Sequence, residues 1–230
     1  IGSGTSGTSF PGDLNGFEPS GPLCNPPSSV PRNTNPDNTG AFDSCRYDFS
    51  RDVDILTDNE QLTGLLRGSF AISPDHTASV EYLRANNKSI AHVAPVPQNH
   101  LMPASSPFFP VGAPLSPGGI PDVNNPTGPN VPGGVANWRA IPGGKRTSGD
   151  DTTSERLMAE LQGVMLGWDY RTAIGTAKNK SEASVKRGYL DDDAIQLGVF
   201  NGVINPFGDQ TAAGQAAIDP SARLPLPATT

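Results

Sequence analysis

The sequence predicts an all-β chain of antiparallel hairpins, and three observations lead there. Two stretches, "EQLTGLLRGSFAI" from Glu60 and "SERLMAELQGVM" from Ser154, alternate apolar and polar residues at the period of two expected of a strand with unlike faces. Each is followed by a short turn and a second alternating stretch, the pattern of a hairpin. The connections between these hairpins are long and rich in Gly and Pro.

In chain order, residues 1–45 carry no apolar period and read as loop. Residues 46–87 hold strands and the first hairpin. "RYDFSRDVDIL" (46–56) places Tyr47, Phe49, Val53 and Ile55 on one side and Asp48, Ser50, Asp52 and Asp54 on the other, with Arg51 the exception. Next, Leu62, Gly64, Leu66, Gly68, Phe70 and Ile72 share a face opposite Gln61, Thr63, Arg67 and Ser69. After "SPDH", whose Pro74 and Asp75 suit a tight turn, Ala78, Val80 and Tyr82 oppose Thr77, Ser79 and Glu81.

Residues 88–151 break every regular pattern and read as a long loop, with strand signals resuming at "NWRAI". Loops of this length inside a domain are usually functional or disordered. The second hairpin takes 152–178. Leu157, Ala159, Leu161, Gly163 and Met165 alternate against Arg156, Glu160 and Gln162; "LGW" turns; Trp168, Tyr170, Thr172 and Ile174 follow. A helix over 154–166 is the competing reading, since its residues are good helix formers, but the period and the mirrored partner favour a strand. Residues 179–230 read as loop with one short helix in "DDDAIQLGVFNGV", where Asp191, Asp192 and Asp193 meet the positive end of the dipole.

Composition restricts the function. With 26 Gly, 24 Pro and only 35% hydrophobic residues, the loops offer little periodic material to cover the hairpins' apolar face. A net charge of −7 argues against a nucleic-acid binder, which needs clustered basic surface. No apolar run is long enough for a transmembrane helix, but a transmembrane strand needs only about 9–11 residues with every second one apolar. The opening "IGSGTSGTSFPG", without an initiator Met, reads as a mature or cut product.

Cys24 and Cys45 are the only cysteines. They lie in a Pro-, Asn- and Ser-rich segment with little else to order it, which favours a disulfide over two free thiols. Two thiolates with no nearby His do not make a zinc site, and no metal or cofactor is expected. His76 belongs to its turn; His92 and His100 lie in the long loop. No nucleophile-elbow motif is present, and "PGGKRTSG" lacks phosphate-loop spacing, so no enzymatic activity is expected. Asn87 and Asn179 each head a short Asn-Lys-Ser sequon. The three aspartates read as a helix start rather than a calcium loop, which would need a central Gly.

Outer-membrane barrels reconcile these features: lipid covers the apolar face, polar groups meet the other, periplasmic turns are short and extracellular loops long. Trp168 and Tyr170 beside a tight turn fit an interfacial aromatic girdle. The stretches "CRYDFSRDVDIL", "SPDHTASVEY", "NWRAIPGGKRTSGDDTTSERLMAELQGVMLGWDYRTAIG" and "GYLDDDAIQLGVFNGVINPFG" resemble, in order, strands and loops of TonB-dependent outer-membrane receptors, especially the large receptors of Xanthomonas-like proteobacteria. The resemblance covers most of 45–208. It implies an antiparallel transmembrane β-barrel of about 22 strands with a plug inside, lying in the outer membrane of a Gram-negative bacterium. It also implies energised uptake of a siderophore, cobalamin or an oligosaccharide. No plug or TonB box is recognisable and the strands are too few to close such a barrel, so the expectation is an incomplete barrel: a fragment, touching TonB only through regions absent here. The alternative is a secreted soluble β-rich binding or structural module.

On the barrel reading, 88–151 emerges outside the cell. Its candidate ligand contacts are His100, Trp138, Arg139, Lys145 and Arg146, because aromatic and cationic groups suit sugars or anionic chelates. Phe108 and Phe109, in the stiff "SPFFP", are expected to pack the loop on itself; Met102 has no strand period to assign it to lipid.

Overall fold

The computed structural model describes residues 5–33 and 42–221 and is mostly β, with antiparallel sheets and no closed barrel among the described residues. Its strands are β1 (Thr5–Ser6), β2 (Asp13–Leu14), β3 (Ser29–Asn33), β4 (Phe42–Asp48), β5 (Asp58–Ser73), β6 (His76–Val93), β7 (Pro97–Pro103), β8 (Gly133–Arg139), β9 (Arg146–Met165) and β10 (Trp168–Arg187). Two helices follow, α1 (Asp192–Phe200) and α2 (Ala212–Ser221). The sheets are ordered β1-β4-β3, β2-β8-β7 and β10-β9-β6-β5. The chain divides into two compact units, a hairpin unit of 56–91 and 148–184 and a loop unit containing the other described residues.

The hairpin unit is one meander. β5 and β6 pair from Asp58↔Ile90 to Ser73↔His76, leaving Pro74 and Asp75 as the turn, where the fixed φ of Pro preorganises the reversal. β9 and β10 are joined through Leu166 and Gly167, at φ +54° and +79°. Two successive positive-φ residues match the twist of the flanking strands. The amide of Val164 donates to the carbonyl of Asp75 at 3.1 Å, tying the first turn to β9. Gly163 makes that approach possible: a Cβ there would lie 2.2 Å from His76 Nδ1 and 2.3 Å from the Asp75 carbonyl oxygen.

The loop unit has its own core of Leu14, Met102, Ala136, Trp138, Ala140, Ile195, Val199, Ile204 and Ile218. Phe10, Phe108, Phe109 and Phe207 pack around it, so Phe108 and Phe109 do fold their segment onto itself. Trp138 is fully buried near the C-terminal end of β8; Gly12 lies so close that a Cβ would meet Trp138 Cβ at 2.6 Å. α1 is capped by Asp191, whose carboxylate accepts the amide of Ala194 at 3.1 Å, and it buries Ile195 and Val199, one turn apart. Gln196 on the same helix accepts from the Leu101 amide and donates to the Leu101 carbonyl, both at 2.9 Å. Its amide thus does for β7 what a neighbouring strand would do. Cys24 and Cys45 are disulfide-bonded, with Cα atoms 5.6 Å apart, and Cys45 is buried.

Four expectations are corrected. The strand read over 46–56 ends at Asp48, where a 3-10 turn, Phe49–Arg51, begins; the Asp48 carboxylate accepts the Ser50 amide and turns the chain locally instead of leaving it extended. Residues 1–45, read as loop, contain β1, β2, β3 and part of β4. Residues 88–151, also read as loop, contain the end of β6, β7, β8 and the start of β9. Residues 179–187, read as loop, complete β10. The end of β10 is almost wholly polar, and the end of β6, "KSIAHV", has apolar residues on both faces, so no hydrophobic period announces either; ladder pairing extends them. α2 has no counterpart in the expectation for the C-terminal segment.

Reducing the Cys24–Cys45 bond should destabilise the loop unit by roughly 3 kcal/mol on the loop-entropy account. Denaturant melts with and without reductant, followed by Trp138 fluorescence in a Trp168→Phe background, measure this. An unchanged midpoint would show that the segment is ordered without the crosslink.

Candidate functional site

The hairpin sheet presents two unlike faces. The β5–β6 register sets Leu62, Leu66 and Phe70 beside Asn86, Tyr82 and Ala78, with Val80 on the same side. Glu155 joins that side, since Tyr82 Oη donates to Glu155 Oε1 at 3.3 Å and Arg84 Nη1 lies 3.4 Å from the same oxygen. Alternation from Glu155 then adds Leu157, Ala159 and Leu161. On β10, Tyr170 reaches His76 Nδ1 at 3.1 Å, which places Trp168, Tyr170 and Ile174 there too. These apolar groups lie open: Leu62 is 75% exposed, Leu66 71%, Ile174 79% and Trp168 80%.

The opposite face carries charge. Arg67 stands across from Glu81 in register; Arg156 pairs with Glu81, and Arg171 Nη2 lies 2.8 Å from Glu160 Oε2. In water, a single sheet with an uncovered apolar face forfeits about 25 cal/mol for each Å² left wet. The face therefore fits an apolar medium or partner.

The ligand candidates lie in the loop unit, mostly inside it. His100, Trp138 and Arg139 are 1%, 0% and 3% exposed. Burial holds the His100 imidazole below its ordinary pKa, with Asp192 and Gln196 opposing. Arg139 donates from Nη1 to the Pro95 carbonyl at 2.8 Å and stacks 4.8 Å from the Tyr47 ring centroid. Lys145 Nζ lies 3.3 Å from Asp52 Oδ1, and Tyr47 donates its hydroxyl to the same carboxylate. Arg146 donates from Nε to the Ala94 carbonyl at 2.8 Å and stacks on Tyr189. Asp54 accepts from the His92 amide and contacts His92 Nδ1, both at 2.8 Å, which lowers its carboxyl pKa.

The structure thus brings Arg139 and Lys145 into one network with Tyr47 and Asp52, while Arg146 separately ties the Ala94 carbonyl to Tyr189. His100 and Trp138 do packing work and face no solvent. Sequence reasoning missed Tyr47 and Asp52, which it assigned to opposite sides of one strand, and Tyr189. It also missed a cleft of about 500 Å³ lined by Ser105, Ser106, Asp122, Asn124, Phe200 and Asn201 among others. Only Phe200 and Asn201 fall in a stretch the sequence marks, the short helix, and nothing there points to a cleft. Among the described residues no three His, Cys, Asp or Glu side chains gather as a metal centre requires, and no helix is long and apolar enough to cross a membrane. No family model matches the chain, nor does any curated protein or solved structure.

Glu18 is a second electrostatic feature of this unit. Its Oε1 accepts the Cys45 amide at 2.8 Å, while its buried Oε2 has no hydrogen-bond partner among the described residues. Burial pushes the carboxyl up to about 7; the Cys45 amide opposes this and Asp13 adds to it. Folding therefore favours the protonated acid. Its stabilising contribution is complete below the ordinary value of 4.5 and is lost as the pH rises through about 7. Denaturant melts across that window should show the loop unit losing stability, and Glu18→Gln should flatten the loss. An equally steep loss in the variant would assign the effect elsewhere.

Proposed function

We propose that the chain is part of a TonB-dependent outer-membrane receptor taking up a scarce ligand: a siderophore, cobalamin or an oligosaccharide. On this reading the hairpin sheet is a section of the barrel wall. The observation that carries this reading is the four-stranded meander with one exposed apolar face and one charged face. Further support comes from the two short turns at the same end of the strands, with Trp168 and Tyr170 beside one of them. The positions from Leu62 to Ile72 make up about 11 residues, the length a tilted strand needs to cross a bilayer. The outer edges of β5 and β10 are unpaired among the described residues, and in lipid they require further strands. The ligand is met by the loop unit. Lys145 keeps 42% of its side chain exposed, whereas His100, Trp138 and Arg139 support the surface from within.

A second reading, a secreted soluble β-rich binding module without enzymatic activity, is favoured by the loop unit's own core and disulfide. Solution behaviour separates the two, since only the module should be monodisperse in buffer without detergent. The decisive comparison is Leu66→Arg against Arg67→Leu. Near the bilayer midplane the first should cost about 2–4 kcal/mol and block insertion into vesicles, while the second should insert. Equal insertion of both would overturn the membrane assignment of the faces.

A further inference from the structure

We propose that the hairpin sheet binds phosphate-bearing lipid headgroups in a basic groove at the edge of its apolar band farthest from the turns. This rests on the membrane reading above. Arg84 on β6, Thr153 and Glu155 on β9, and Lys178, Asn179 and Lys180 on β10 line a cleft of about 540 Å³. The groove is on the apolar face: Tyr82 and Arg84 both reach Glu155, and Lys178 and Lys180 continue the alternation of Ile174. Along β6, β9 and β10 it lies on the side of Tyr82, Leu157 and Ile174 away from the two short turns, while on β5 Leu62, across from Asn86, reaches past the level of Arg84, which stands across from Gly64. Arg84 follows Tyr82, Glu155 precedes Leu157, and Lys178 follows Ile174.

The charges in the groove remain available. The Arg84 and Lys180 side chains are 56% and 74% exposed. Arg84 shares Glu155 with Tyr82, Lys180 pairs with Glu182 on its own strand, and the next row is closed by Lys88 and Asp151 at 3.9 Å. Such exposed pairs are worth about 0–1 kcal/mol, so a phosphate can exchange for them. Lys178 has no acidic partner at ion-pair distance among the described residues. Three cations therefore line the groove against one carboxylate. Long basic side chains run their methylenes over apolar surface and place their heads at its polar boundary, where a membrane presents its phosphates. The apolar band fixes the depth and the groove supplies the opposite charge. A lipid satisfies both conditions, and a free phosphate only the second.

The test is flotation of the full chain with phosphatidylcholine vesicles, with and without phosphatidic acid, and with excess inorganic phosphate as a soluble competitor. Phosphatidic acid should tighten partitioning roughly tenfold in a salt-sensitive way. The double variant Lys178→Gln/Lys180→Gln should lose that gain and keep its binding to phosphatidylcholine, while Glu182→Gln, which frees Lys180, should enlarge the gain. Equal partitioning into both vesicles, or a gain that survives the double variant, overturns the groove and leaves the membrane reading standing. Abolition of the gain by inorganic phosphate at matched ionic strength makes the site one for phosphate alone and overturns the lipid assignment. Absence of binding even to phosphatidylcholine overturns the membrane reading, and the groove with it.

Discussion

A β-sheet satisfies its backbone sideways and leaves its two faces to find their own surroundings, and the rest of this structure depends on how that is met. In the β5-β6-β9-β10 meander every second side chain points the same way, so Leu66 and Arg67, adjacent in sequence, look into opposite media. A slip of one residue would send Arg67 to the side of Phe70 and Tyr82 and Leu66 to the side of Glu81. The register is held against that slip by the turns. Pro74 and Asp75 close one hairpin, Leu166 and Gly167 close the other in positive φ, and Gly163 lets the first turn bond β9.

The loop unit solves the opposite problem. Its segments have little secondary structure, so their backbone groups need partners other than long ladders. Gln196 completes β7 from a helix, Asp191 caps α1, and Asp54 and His92 exchange bonds between distant segments. The Cys24–Cys45 crosslink and Trp138 then hold together turns that composition alone would leave open.

The hairpins were legible because a face that differs from its opposite writes a period of two into the sequence. So was α1, through its acidic start. The ends of β6 and β10, "KSIAHV" and "NKSEASVKR", are illegible because neither has a face that differs from its opposite, and the strand persists only through its neighbour. The strand misread over 46–56 shows the converse: Tyr47, Phe49, Val53 and Ile55 happen to alternate, while the capping chemistry of Asp48 decides the conformation. At the candidate site, aromatic and cationic residues were chosen because they suit ligands, yet the same types suit a crowded interior. Trp138 fills a core, and Arg139 lies against Tyr47 with its guanidinium bonded to a carbonyl. Residue type cannot separate those roles; burial can.

Strand length accounts for both the unannounced strand ends and the groove. β9 and β10 each run 20 residues, about twice the 9–11 that cross a bilayer. The part nearest the turns carries the apolar band and hence the period; the remainder has no apolar medium to answer to and loses it. If lipid covers the band, the end of its apolar alternation marks the water boundary, which falls before Leu62 on β5, after Tyr82 on β6, before Leu157 on β9 and after Ile174 on β10. On β6, β9 and β10, Arg84, Glu155 and Lys178 are the first charged residues beyond it on that face. Charge placed there has its head in water and its stem on hydrocarbon, so it costs little to keep and is positioned for whatever the membrane surface presents.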